Sequence, residues 1–123
     1  MRSAFAPELV AEFAAAKILG VRAGTTHRYT GVWVVVVDGR VFVRSWNDEP
    51  NGWFRAFRAE AAGSVQLGKR ELAVRGVVVR SAKLRGGVSQ AYARKYPTKG
   101  SLKWVEGFAE PERAANTLEF VPG

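Results

Sequence analysis

The chain has no cysteine and a single histidine, His27. The lack of cysteine excludes disulfide bonds, thiolate catalysis and zinc sites built from cysteine, and one histidine excludes a histidine-rich metal site. Long apolar runs are also missing. The longest, residues 32–37, is far shorter than the roughly 20 residues that a helix needs to cross a bilayer, and Pro7 and Glu8 interrupt any signal-like segment. We therefore expect no metal, no membrane span and a cytoplasmic location.

What the chain does have is positive charge, and that charge is regional. Its 123 residues are predicted to form one domain, with a net charge of +8. Residues 61–105 carry ten Lys and Arg against one acidic residue, a net +9, while residues 1–60 carry +2 and residues 106–123 carry −3. A region with this charge can attract phosphates, nucleic acid or acidic membranes. In the alternative interpretation, its charged residues only form the solvated outer faces of strands and a helix. Charge alone leaves these alternatives open.

The first half of the chain changes from a helical to a strand pattern. Apolar residues recur at helical spacing after Pro7 until Gly20, which predicts a helix within residues 1–20. Two β-branched runs then flank Asp38-Gly39, which is the strongest short-range signal for a two-residue hairpin. This turn places Val34 opposite Val43, and both faces of the hairpin are largely apolar. Burial on both sides is therefore predicted.

The second half adds further strands and helices. We predict helices at 52–61 and 85–96. Between them lies a hairpin that turns at Gly68-Lys69, with a bulge or bend at Gly76. A loop that holds Trp104 and a last strand at 116–121 follow. Strands and hairpins thus occupy 26–81 around the inserted helix. Long crossover helices between successive strands are missing. A mostly β fold of the α+β class, an antiparallel barrel with flanking helices, therefore fits best.

Two motifs that suggest catalysis are rejected. Residues 63–69 (GSVQLGK) have P-loop spacing, but Arg70 stands where a Ser or Thr must bind magnesium, and the glycines surround a hairpin. His27 is accompanied by neither a nucleophile-elbow serine nor the paired carboxylates of a glycosidase. Hydrolytic chemistry is not expected, and the sequence identifies no catalytic residue.

A group of arginines and aromatics follows the first hairpin. Arg44, Ser45 and Trp46 end it, and Trp53 and Arg55 open the next helix. Arginine forks, a serine hydroxyl and a helix amino terminus suit a phosphate, and tryptophans can stack on a planar ring. In the alternative interpretation the aromatics fill the core and the arginines extend to water.

The chain also resembles a known family over most of its length from about Thr26. Residues 26–30 lead into GVWVVVVDGRVFVRS at 31–45, followed by WFRA at 53–56, AYARKYP at 91–97 and NTLEFVP at 116–122. This pattern resembles the FMN-binding split-barrel proteins, also called pyridoxamine-phosphate-oxidase-like. Within them it is closest to the deazaflavin-dependent nitroreductases and to a neighbouring bacterial family of unknown function.

The resemblance implies a split barrel of about six antiparallel strands that forms a homodimer and holds FMN or a deazaflavin at the dimer interface. The phosphate-contacting positions of that family correspond to Arg44, Ser45 and Arg55, and Trp33 would lie near the ring. Trp53 stands where that family often has a lysine. The cofactor would perform hydride or electron transfer on a small-molecule substrate, which makes the protein an oxidoreductase.

Two alternatives to this function remain. The first is a barrel without a cofactor that binds another small ligand or performs a non-redox reaction. The second is nucleic-acid binding through residues 61–105. The second is disfavoured because the sequence contains no helix-turn-helix, zinc or RNA-recognition pattern.

Overall fold

The computed structural model describes residues 4–123, which contain five helices and seven strands. The helices are α1 (Pro7–Ala15), α2 (Trp53–Ala59), α3 (Ala82–Lys95), α4 (Lys99–Phe108) and α5 (Pro111–Ala114). The strands are β1 (Leu19–Ala23), β2 (Thr30–Val32), β3 (Val34–Val37), β4 (Arg40–Arg44), β5 (Ala62–Leu67), β6 (Arg70–Val78) and β7 (Thr117–Pro122). The predicted mostly β architecture with flanking helices is confirmed.

All seven strands form one antiparallel sheet in the order β2-β1-β5-β6-β7-β4-β3. Its two edge strands, β2 and β3, are separated in the chain by Trp33 alone. One nearly continuous segment therefore pairs with β1 on one side and with β4 on the other, which curls the sheet into a nearly closed barrel with Trp33 at the seam. The seven strands agree with the barrel of about six strands that the resemblance implies. The residue pattern alone predicts five, because it treats the segment that Trp33 divides as one strand and assigns β1 to a helix.

The first hairpin has the predicted turn and register. Asp38 and Gly39 both have positive φ, 52° and 73°, as a type I′ turn requires. Val34 pairs with Val43, and both belong to the core cluster that joins alternate residues of six strands with α1 and α2. The neighbouring Val35 belongs to a second cluster under α3 and α4. The predicted burial of both hairpin faces is confirmed.

The predicted helix at 1–20 is wrong in its second half. Helix α1 ends at Ala15, and Ala16 is already extended, with φ −72° and ψ 128°. From Leu19 the burial alternates, with Leu19, Val21 and Ala23 inside, so the segment pairs with β2 and β5 as strand β1. The apolar residues keep a helical spacing beyond the end of α1, but the burial of one face of this segment in the sheet makes it a strand. The first three residues of the predicted helix lie outside the described residues.

The predicted loop around Trp104 is also wrong, because residues 99–108 form α4. Its two glycines, Gly100 and Gly107, weaken the helical signal, but Val105 and Phe108 are buried in the second cluster, and this packing holds the helix. Of the other predicted helices, 52–61 corresponds to α2, and 85–96 corresponds to α3, which begins three residues earlier than predicted. Predicted strand 116–121 is β7 within one residue at each end.

Gly76 serves a packing role in place of the predicted bulge. The pairing of β6 with β7 continues without a break from Val74 to Val78, with Gly76 opposite Phe120. A Cβ at Gly76 would lie 2.9 Å from the Phe57 ring of α2. The glycine is therefore needed so that α2 can place this aromatic ring on the sheet.

Candidate functional site

A cavity of about 350 Å³ lies beside the seam residue Trp33. It is lined by Thr30, Gly31, Val32, Trp33, Arg44, Trp46, Trp53, Trp104 and Phe108. These residues include all four tryptophans of the chain, and we call this site the tryptophan cavity. Strands β2 and β4, helices α2 and α4 and the chain after β4 contribute to it, so it is assembled from distant parts of the sequence.

Trp33 is held in place by α3 and α4. Its indole stacks on the ring of Tyr96, with centroids 4.1 Å apart and 5° between the planes. Phe108 meets Trp33 edge-on at 6.1 Å. Offset-stacked and edge-to-face contacts are the favoured geometries of aromatic pairs. The wall of the cavity at the seam is therefore fixed by the second core cluster.

Trp46 is held by two kinds of contact. The guanidinium carbon of Arg113 lies 3.6 Å from the centroid of its ring, and Trp104 meets it edge-on at 5.0 Å. At Gly107 of α4 a Cβ would overlap with Trp46 Cη2 and lie 2.6 Å from Cζ3. Because only glycine allows this approach, Gly107 determines how closely α4 packs against Trp46.

Arg44 is the charged residue of the tryptophan cavity, and it is buried, with 2% of its surface exposed. Its guanidinium donates to Thr117 Oγ1 at 2.8 Å, Ser89 Oγ at 2.7 Å, and the main-chain oxygens of Phe108 at 2.7 Å and Arg85 at 2.9 Å. Burial lowers the pKa of Arg44 to about 10, so it stays protonated at neutral pH. Four of its five N–H groups are used within the protein, and one remains.

Ser45 and Arg55, two of the predicted phosphate contacts, do not line this cavity. The buried Ser45 donates its hydroxyl to the main-chain oxygen of Asn47. The exposed Arg55 forms an ion pair with Asp48 at 2.8 Å, and the hydrogen bond from Arg55 lowers the pKa of that carboxyl group. The structure thus brings together Trp33, Arg44 and Trp53 of the five predicted residues. Whether these five bind a cofactor stays a prediction.

Trp104 and Phe108 are site residues that the sequence analysis did not assign to the site. Both lie on α4, four residues apart, and helical residues at that spacing share one face. This spacing was a usable signal. The two glycines of the segment, Gly100 and Gly107, favour a loop and obscure this spacing.

A second, smaller cavity of about 210 Å³ adjoins the first. It is lined by Arg22, Ala23, His27, Arg28, Thr30, Asn51, Trp53 and Ala56, and we call it the basic cavity. Thr30 and Trp53 line both cavities. His27 therefore lies next to the tryptophan cavity rather than in it.

The P-loop-like residues 63–69 lie in strand β5 and its turn into β6, with Gly68 at φ 62°, so their rejection as a P-loop is confirmed. Within residues 4–123 no group of three or more His, Cys, Asp or Glu side chains is arranged to hold a metal ion. None of the described helices is long and apolar enough to span a bilayer.

The fold and the site define a small, nearly closed antiparallel barrel with flanking helices and a tryptophan-lined cavity between barrel and helices. The chain belongs to the bacterial family described as "Uncharacterized protein conserved in bacteria (DUF2255)", which it matches over residues 11–120. The expectation of a bacterial family of unknown function is thereby confirmed.

A solved structure supports the fold. The chain is similar to the conserved hypothetical protein Rv2991 from Mycobacterium tuberculosis, with a TM-score of 0.59 and 12% identity over 97% of this chain and 80% of the other. At this identity the similarity concerns the fold alone. No curated protein matches the chain significantly. Membership of the flavin-binding superfamily therefore stays a prediction.

Proposed function

We propose that the protein binds a planar aromatic small molecule of the flavin or deazaflavin type in the tryptophan cavity and acts as an oxidoreductase on a small-molecule substrate. The observation that carries the proposal is the convergence of all four tryptophans on one cavity. Indole rings offer large flat surfaces for stacking on a planar ligand. Core packing alone would not require every tryptophan to border the same open space.

The size and charge of the cavity favour the ring of such a ligand. A volume of about 350 Å³ lies at the low end of the range for small-molecule sites, which suits a ring system better than a complete cofactor. Among the described residues that line it, none is acidic. A cationic ligand of the aromatic-cage type would lack an anionic counterpart there. An uncharged or anionic ring suits the single charge of Arg44 better.

A flavin or deazaflavin, when bound, supplies hydride or electron transfer. The chain's own residues would stack on its ring, orient it and exclude water from it. Arg44 would offer one N–H group to a ring oxygen or nitrogen. The phosphate contacts that the resemblance assigns to Arg44, Ser45 and Arg55 receive less support, because all three side chains have partners within the protein.

The proposal is tested by titrating the protein with riboflavin and with a deazaflavin while ligand fluorescence and absorbance are recorded. Trp104→Ala removes a ring that lines the cavity from an exposed helix position. Loss of a stacking aromatic typically weakens binding by about 10-fold or more. Leu102→Ala, on the same helix and similarly exposed but outside the cavity, is the matched control and should leave affinity unchanged.

If neither ligand binds the folded protein at about 100 μM, weaker than typical cofactor affinities, the proposal fails and the barrel without a cofactor takes its place. Equal weakening by both variants would also contradict it, because the tryptophan cavity would then not be the binding site. Nucleic-acid binding through residues 61–105 has less support from the structure. Arg70, Arg85 and Lys95 of that region are engaged by Glu12 and by main-chain oxygens.

A further inference from the structure

We infer that the basic cavity is a subsite for an anionic group, a phosphate or a carboxylate, attached by a short linker to the ring in the tryptophan cavity. This inference rests on the proposed function and adds the class of ligand: a planar ring with a negatively charged tail. It also locates the anion at residues that differ from the phosphate contacts expected from the sequence.

The position of the basic cavity is the first support. Thr30, the first residue of β2, and Trp53, the first residue of α2, line both cavities. A ligand whose ring occupies the tryptophan cavity therefore has the basic cavity next to it, because Thr30 and Trp53 border both cavities. The two cavities, of about 350 Å³ and 210 Å³, together lie within the size range of small-molecule sites and can hold a ring with a tail.

The charge of the basic cavity is the second support. No acidic residue is among the described residues that form it, and four of its lining residues have side chains that carry N–H groups: Arg22, His27, Arg28 and Asn51. Arg22 contributes less of this charge, because its side chain lies on the outer face of β1, where its Nε donates to Ser64 Oγ at 3.1 Å and its guanidinium lies 4.5 Å from the ring centroid of Tyr29. The positive charge of the basic cavity therefore depends mainly on Arg28.

Arg28 supplies the third support because its charge is not neutralised. Within residues 4–123, Arg28 forms no hydrogen bond and no ion pair, and neither does His27. The nearby arginines of α2 differ, since Arg55 and Arg58 both face Asp48, at 2.8 Å and 3.9 Å. A guanidinium with free N–H groups is suited to bind a phosphate or a carboxylate through two parallel hydrogen bonds.

The experiment compares two ligands that differ only in the phosphate. FMN and riboflavin carry the same ring, so the ratio of their dissociation constants isolates the anionic group. We expect the wild-type protein to bind FMN about 10-fold more tightly, as charge-assisted hydrogen bonds produce. Arg28→Gln should abolish this preference and leave the affinity for riboflavin unchanged. Arg80→Gln, an exposed arginine outside both cavities, is the control for the change in net charge.

The outcomes separate this inference from the proposed function. If riboflavin and FMN bind the wild-type protein equally, the anion subsite is overturned while the ring site stands. If neither binds, the ring site fails, and inorganic pyrophosphate alone then tests the subsite through the NMR signals of the arginine side chains. Pyrophosphate binding that Arg28→Gln removes and Arg80→Gln retains supports a free-standing anion site. Binding that is absent, or equal in both variants, overturns it.

Discussion

The indole of Trp33 lies parallel to the ring of Tyr96, 4.1 Å away. The hydroxyl of Tyr96 in turn donates to the main-chain oxygen of Lys17 at 2.8 Å, in the connection between α1 and β1. The residue at the barrel seam is thus tied to the segment that enters the first strand. This pair links closure of the sheet to the position of α3.

Replacing Trp33 by alanine should open the seam. The change removes the stack on Tyr96 and a large partly buried ring, and losses of this kind cost about 3–5 kcal/mol of the free energy of unfolding. Trp33→Phe retains part of the stack and should cost roughly half as much. Urea denaturation followed by circular dichroism measures both. Trp104→Ala, at an exposed ring, should cost less than about 1 kcal/mol. A Trp33→Ala protein as stable as wild type would contradict the role assigned to the seam.

Replacing each of the two glycines of α4 by alanine should change the stability of the protein in opposite directions. Gly107→Ala places a Cβ against the indole of Trp46, which Arg113 and Trp104 also contact, and such overpacking costs about 1–3 kcal/mol. Gly100→Ala meets no atom within 4 Å and should stabilise the helix by up to about 1 kcal/mol. Thermal melting of both variants, together with tryptophan fluorescence, tests the difference. Similar melting temperatures for the two would show that α4 can move away from Trp46 without loss.

Arg44 should be essential for stability whatever ligand the cavity binds. Arg44→Met would leave the main-chain oxygens of Phe108 and Arg85 without this donor, and the loss of such buried charge-assisted bonds costs about 3–5 kcal/mol. Arg44→Lys offers fewer donors in a different geometry and should fall between Met and wild type. Arg75→Gln, at an exposed position, should change stability by less than about 0.5 kcal/mol. If Arg44→Met unfolds at the wild-type urea concentration, the network does not stabilise the fold.

Lys95 should make stability depend on pH above neutrality. Its ammonium donates to the main-chain oxygens of Ala16 and Val34 at 2.6 Å and of Phe13 at 3.3 Å, and burial lowers its pKa to about 8. Below pH 8 both the folded and the unfolded state hold the proton. Between about pH 8 and the unfolded pKa near 10.4 only the unfolded state holds it, so this group makes the protein more stable as pH rises.

The test compares wild type with Lys95→Met by urea unfolding at about pH 7 and about pH 9.5, on either side of the shifted pKa. The free energy of unfolding of wild type relative to the variant should increase between these values. Burial raises the pKa of Tyr92 and acts in the opposite direction at higher pH, which the comparison with the variant cancels. A difference that is constant with pH would contradict a lowered pKa for Lys95.

The parts of the fold that were predictable are those in which local chemistry and burial agree. Asp38-Gly39 and Gly68 determine their turns through backbone conformation alone, and the Val-rich runs beside the first turn are buried on both faces. Strand β1 is not predictable in the same way, because Gly20 and Ala23 are poor strand formers and only pairing with β2 and β5 makes the segment extended.

The site was predictable in its residue types but not in its partners. Trp33 and Trp53 were identified, and they do line one cavity with Arg44. The occupied hydrogen bonds of Arg44, in contrast, depend on Ser89, Phe108 and Thr117, which lie 45 to 73 residues away in the chain. A sequence pattern cannot show that such distant acceptors have converged on one guanidinium. The homodimer and the cofactor stay predictions.

Strand β7 lies in the middle of the sheet, between β6 and β4, although it is formed by residues 117–122. During synthesis, the ribosome must therefore release nearly all of this sequence before the two groups of earlier strands, β2-β1-β5-β6 and β4-β3, can be joined. Until then both groups expose an unpaired edge to other chains. We therefore expect the chain to depend on chaperones during synthesis and to aggregate when it is truncated near residue 116. Neither expectation depends on the ligand that the cavity binds.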